Sequence, residues 1–250
     1  MHDPHSHPSP IETPLPRRQI SLQCRPVVNR FVQQLKTDLD DNLVAAAVYG
    51  PAVTEIFDLR YHRVHVLIVT QTRDVDRLIA LGASSDRAIQ QGIAPPLILT
   101  EKALKASFDV FPLEWLDIHQ FHVNLVGVDH LASVTFNPSD VRLQCERDLR
   151  TLDIQIQRGI LASRGNRKRV ERIEDASQDT LVRILRGIAW LTGDRNAYLP
   201  LPLVDHCEVL LDKPLPGCRQ SVDHEGRHDL QTLGQLLDEL GHLAGWIDVV

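Results

Sequence analysis

The chain has 250 residues, 43% of them hydrophobic and 24% charged, which is enough for one large core or two modest ones. A formal net charge of -6 argues against a general nucleic-acid binder, while leaving room for a local basic patch. Four scattered cysteines with no CxxC pair (Cys24, Cys145, Cys207 and Cys218) read as reduced thiols, not as a disulfide frame or a zinc knuckle.

Residues 1–18 read as a disordered tail, because Pro4, Pro8, Pro10, Pro14 and Pro16 deny it regular pairing. The tail has no apolar signal core, and the longest apolar run, Leu43 to Tyr49, is far too short to span a bilayer. A cytoplasmic location with no membrane partner is therefore expected. His2, His5 and His7 are read as solvated side chains.

From Gln19 to Asp41, Val28, Phe31, Val32 and Leu35 share one helical face. Leu43–Tyr49 and Val64–Thr70 are compact and rich in β-branched residues, as buried strands are. Asp74 to Gln91 returns to a helical period, and Pro95-Pro96 stops it ahead of a strand at Leu97–Leu99. A short helix near Glu101–Ala106 and strands near Leu113–Ile118 and Val123–Val126 complete an α/β layer structure over residues 19–136. Beyond Asn137-Pro138 the apolar stripes become long and helical. Val141 to Ile160, Val170 to Ile188, Leu203 to Leu211 and Leu230 to Ile247 predict an all-α region over 138–250.

The segment Val48-Tyr49-Gly50-Pro51-Ala52, through Phe57-Asp58, to Val64-His65-Val66-Leu67-Ile68-Val69 resembles the core of the nucleotidyltransferase superfamily. In that pattern a strand ends in Gly-Ser, a short helix follows, and a second strand carries Asp-x-Asp or Asp-x-Asn. The resemblance continues through Pro95 to Thr100, Asp109 to Glu114 and Arg142 to Arg150, in the manner of a bacterial branch with a helical C-terminal region. It implies an α/β (α+β) mixed sheet with helices, followed by an all-α domain.

The polar residues depart from the pattern. Pro51 stands where the resemblance implies Ser, and Arg63 and His65 stand where it implies the two metal-binding carboxylates. Two carboxylates at i, i+2 on one strand reach a single cluster of magnesium ions, which want hard oxygen ligands. Arginine has no acceptor atom, and neutral histidine suits zinc or copper better than magnesium. Reversing a charge about 4 Å from the ion reverses a contribution of roughly 4 kcal/mol at an effective dielectric near 20. Pro51 has no N–H to offer a phosphate, although it fits the first turn of a helix. The resemblance also implies a third carboxylate on a later strand, for which Glu114 or Asp117 is the candidate.

The expectation is a degenerate transferase, a pseudoenzyme without magnesium, that binds a protein partner or a nucleotide-like ligand through Gly50, Arg63, His65, Glu114 and Asp117. Arg63, aided by Arg60, is then an anion contact, or else simply a salt-bridge partner of Glu55 or Asp58. One alternative is a nucleotidyltransferase with an atypical metal site around Glu114 and Asp117, with the pairs His62/His65 and His119/His122 as possible zinc ligands. A second is a zinc-dependent hydrolase at His224-Glu225-Gly226-Arg227-His228, which fits HExxH in letters but carries a glycine at its centre. Arg219 and His224 have an Arg-x4-His spacing, but in a segment read as a loop. Arg164, Arg167, Lys168, Arg169 and Arg172 form the one concentrated basic run, read as a solvated turn and helix start.

Overall fold

The computed structural model describes residues 18–194, 199–223 and 230–249. Helix α1 (Arg25–Leu39) opens the described fold, with a proline in its first turn and Val28, Phe31, Val32, Leu35 and Leu39 on its buried side. Strand β1 (Leu43–Tyr49) follows a 3-10 turn, and strand β2 (His65–Thr70) runs antiparallel to it. Helix α2 (Val75–Gln90), capped by the Asp74 carboxylate on the Arg77 N–H, crosses over to strand β3 (Leu97–Thr100), which is parallel to β2. Thr100 then caps helix α3 (Glu101–Lys105).

At the next segment the structure corrects the sequence reading. Residues 113–118 are not a strand; they lie in helix α4 (Pro112–Gln120). The misreading has a physical cause, since this helix is apolar on two sides. Leu113 and Leu116 join the core of the helical region, whereas Trp115 and Ile118 pack beneath the sheet. A helix buried twice loses the single stripe that identifies it. Pro112 at its first turn, and the Gln144 side chain accepting the Leu113 N–H at 2.8 Å, fix its start.

Strand β4 (His122–Gly127) pairs antiparallel with β1 and completes a mixed sheet in the order β3-β2-β1-β4. Val48, Val66 and Ile68 face α1 and α2 on one side, while Ala45, Leu67 and Val69 face Leu104, Trp115 and Ile118 on the other. Period-two alternation sends neighbouring residues to opposite layers.

Helices α5 (Pro138–Ser163) and α6 (Arg167–Leu191) form a long hairpin, joined at Arg164 in the left-handed region and at Gly165. Helices α7 (Pro200–Leu211), α8 (Pro216–Val222) and α9 (Leu230–Ile247) pack against it around Leu149, Leu152, Ile184, Leu185, Ile188, Leu236 and Leu240. Arg219 is thus helical, on α8, and not in a loop. Among the described residues, no helix is long and apolar enough to cross a membrane.

Candidate functional site

Strand β1 ends at Tyr49, in register with His65 on β2 and His122 on β4. Gly50 follows at φ +74°, a conformation that glycine adopts without penalty, and its N–H donates to the Phe121 carbonyl at 2.8 Å. The chain then makes a 3-10 turn over Gly50–Val53, with Pro51 at its start. The Pro51 carbonyl accepts from both the N–H (2.9 Å) and the hydroxyl (2.8 Å) of Thr54. Pro51 therefore holds the turn while presenting no donor of its own.

His65 turns toward this corner. Its ring lies 5.5 Å from that of Tyr49, and a Cβ on Gly50 would come within 3.8 Å of it. Burial depresses the His65 pKa, outweighing the nearby charges of Asp179 and Asp117, so the imidazole is held neutral. Burial, with help from Asp117, pushes the Tyr49 phenol up, so it too stays uncharged.

Arg63 goes elsewhere. It precedes β2, is exposed, and donates to the Ile89 carbonyl in the last turn of α2 at 3.3 Å, where a cation complements the helix dipole. Asp58 is engaged by Arg60, at 2.6 and 3.0 Å. The structure therefore does not bring Arg63 and His65 together, although only Val64 separates them.

Glu114 and Asp117, three apart on α4, face arginines three apart on α6. Arg186 Nη1 lies 2.5 Å from Asp117 Oδ1, and Arg183 Nη1 lies 3.3 Å from Glu114 Oε1. Glu114 Oε2 also accepts from Gln144 at 2.6 Å, and Gln144 reaches Asp148 as well, at 3.3 Å. Burial, followed by the charge of Glu114, raises the Asp148 carboxyl. The guanidinium of Arg186 also stands 5.5 Å from the Phe121 ring centre, and that of Arg18 stands 4.4 Å from it.

A second cluster lies at the β4 end. The His122 Nδ1 faces the His119 carbonyl at 2.8 Å, and its Nε2 faces Asp129 at 3.1 Å. Burial opposes ionisation of Asp129, but its hydrogen bond from His122 and those from the Leu131 and Ala132 amides together hold its carboxyl below the ordinary value. His119 donates from Nδ1 to the Leu131 carbonyl at 2.9 Å and is held neutral, chiefly by burial. These histidines pin the segment after β4 against the sheet.

Among the described residues, no three His, Cys, Asp or Glu side chains form a group that could hold a metal ion. His224, Glu225 and His228 lie outside the described residues, as do His2, His5 and His7. The four cysteines are buried. Burial pushes the Cys207 thiol up to about 12, and moves Cys24, Cys145 and Cys218 the same way.

No family model matches the chain, and no curated protein does. Among solved structures it is similar to the spectinomycin adenyltransferase AAD(9) from Enterococcus faecialis, solved with ATP and spectinomycin. The TM-score is 0.57 at 12% identity, over 90% of this chain and 99% of that one. The chain has the nucleotidyltransferase fold. Within that fold, the corner of Tyr49, Gly50 and His65, facing Asp117, lies where strands β1 and β2 meet the helical region.

Sequence reasoning missed Arg183, Arg186, Tyr49 and Gln144. The equal i, i+3 spacing of Glu114/Asp117 and Arg183/Arg186 was visible. On a strand, however, residues three apart point to opposite faces, so reading 113–118 as β hid the match.

The neutral state of His65 and His119 has a consequence for acid stability. Their folded pKa values are depressed, so the unfolded chain binds protons more readily. The stability they contribute is present above about pH 6.5, the ordinary histidine value, and is lost as pH falls through the folded values. Urea midpoints measured from pH 8 to pH 5 should fall toward acid, and His65→Gln should flatten that slope. An unchanged slope in the variant would show that His65 is not held neutral by the fold.

Proposed function

We propose that this nucleotidyltransferase-fold chain works by binding a protein partner or a nucleotide-like ligand, without metal-dependent nucleotidyl transfer. The observation that carries the reading is the state of its carboxylates. Asp117 Oδ1 is held by Arg186, and the two oxygens of Glu114 are held by Arg183 and Gln144, so three of the four acceptor oxygens are engaged by cations and an amide. Strands β3 and β4 consist of Leu97-Ile98-Leu99-Thr100 and His122-Val123-Asn124-Leu125-Val126-Gly127, without Asp or Glu. On the β2 side the corner offers a neutral imidazole, and Arg63 is turned to α2. Magnesium takes hard oxygen ligands and keeps near-ideal octahedral geometry. The residues present do not fit it.

What remains is a polar corner formed by the Tyr49 hydroxyl and the His65 imidazole, with the charges of Asp117 and the exposed Asp179 nearby. Such groups bind by hydrogen bonding and orient a ligand without activating a phosphate. The similar adenyltransferase was solved with ATP, which makes a nucleotide the first ligand to try. Calorimetry with ATP, with and without magnesium, should give the same heat in both cases, and labelled ATP should yield no pyrophosphate. Magnesium-dependent pyrophosphate release that disappears in Asp117→Asn would overturn the reading in favour of an atypical metal site on α4.

A further inference from the structure

Helix α5 has 26 residues and buries Val141, Cys145, Leu149, Leu152 and Ile156 on one side. At 100° per residue, spacings of eleven and seven return to nearly the same direction, so Leu143, Ile154 and Leu161 fall on one line along the opposite side. Their exposures are 60%, 53% and 78%. Single exposed apolar residues are ordinary, but a line of three along one helix is a seam. Arg147 and Arg150 fall between Leu143 and Ile154 on nearly the same line, and Arg158 lies beside it, all exposed. The acidic groups at its margin are engaged: Glu146 lies 3.7 Å from Arg142 and Asp153 accepts from Gln157 at 3.1 Å, while Asp148, 3.6 Å from Arg147, lies round the helix toward Gln144.

The seam continues over the hairpin turn. Arg158, Leu161, Ala162, Arg164 and Arg169 line one broad, shallow concavity. Arg167, Lys168 and Arg169 then open α6, whose first turn holds no acidic residue. Arg167 is paired with Glu171 at 3.0 Å and Arg169 donates to the Ala162 carbonyl at 3.1 Å, and the remaining excess of positive charge runs against the helix dipole at a cost to the helix. All of this occurs in a chain of net charge -6.

We propose that the outer face of α5, continued over the α5–α6 turn, docks an acidic amphipathic helix of a partner protein. The arginines call for carboxylates. The Leu143–Ile154–Leu161 seam calls for an apolar stripe, which a phosphate backbone would leave uncovered. From Leu143 to Leu161 the track is about 27 Å long, the reach of a helix of about five turns. The inference uses different residues from the Tyr49–His65 corner and stands whether or not that corner binds a ligand.

The test uses the full chain and a fluorescent 21-residue peptide with leucine at the a and d positions of each heptad and glutamate at e and g. A twin carrying lysine in place of glutamate is the control. The acidic peptide should bind one to one, weaken as salt rises, and exceed its twin by at least about tenfold, the effect of a few charge pairs. Arg147→Glu with Arg150→Glu should remove that preference. Leu143→Ser with Ile154→Ser should weaken binding by a similar factor. All four positions are exposed, and circular dichroism checks that the variants stay folded. Equal binding of both peptides, or none, would overturn the proposal. So would a short RNA duplex that binds and is insensitive to the serine changes, or a dimer of the chain itself that the arginine changes dissociate.

Discussion

Replacing Arg186 by Ala is expected to destabilise the chain by about 2–3 kcal/mol, the lower end for breaking a buried pair, because the pair retains some exposure. Arg186 and Asp117 are 12% and 24% exposed at 2.5 Å. Removing the guanidinium leaves the Asp117 carboxylate, 24% exposed, without its cation at the α4–α6 junction. It also removes a cation from beside the Phe121 ring. For a chain of this size, a loss of that magnitude should lower Tm by roughly 5–10 °C. Asp117→Asn should cost less, since it removes the charge that would be stranded, and the double variant should be more stable than the sum of the singles predicts. Urea unfolding of the four proteins closes the cycle. If Arg186→Ala changes stability by less than about 0.5 kcal/mol, the pair is an ordinary surface bridge. In that case Asp117 is available for other chemistry, and the support for the proposed function weakens with it.

The helices and inner strands were legible because each carries one clean signal. Val28, Phe31, Val32 and Leu35 mark a stripe in α1, and the short apolar runs mark β1 and β2, all at the observed places. Likewise the buried stripes of α5, α6 and α9 each follow one clear helical period. The segment at 113–118 was illegible for the opposite reason. Leu113-Glu114-Trp115-Leu116-Asp117-Ile118 serves two cores at once, and its pattern admits either period until the neighbours are known.

The corner was legible in part. Gly50 and His65 were found because the strand-turn-strand frame marks their positions. The fate of Arg63 was not, because its partner is the Ile89 carbonyl, 26 positions on in α2, and no local pattern records that contact. The arginine partners of Glu114 and Asp117 lie 69 positions on in each case, on a helix whose docking only the folded core sets.

The crossing of α8 over α9 carries the second large expected effect. Gly217 sits in the first turn of α8, where an added Cβ would fall 2.4 Å from the backbone nitrogen of Leu236 and 2.8 Å from the carbonyl carbon of Gln235. Backbone cannot rotate aside as a side-chain tip can, so Gly217→Ala must separate the two helices, at about 1–3 kcal/mol for overpacking of this kind. The closeness has a purpose in the structure. Glu239 on α9, only 5% exposed, accepts the Gly217 N–H at 2.8 Å and the Cys218 N–H at 2.6 Å, satisfying donors that a helix start leaves open. Glu239→Ala strands both of them, at about 1–3 kcal/mol each. Glu239→Gln keeps one acceptor oxygen and should cost less than the alanine change. Cys218 supplies a local reporter, since its thiol is fully buried and its pKa is raised by burial and by the neighbouring Glu239. In the native protein it should react with a thiol reagent only as fast as the chain opens. In Glu239→Ala it should react at least about tenfold faster, the factor that about 1.4 kcal/mol of easier opening confers. An unchanged trapping rate together with an unchanged Tm would mean that α8 is held by its apolar contacts alone, and that the carboxylate cap contributes nothing to the crossing.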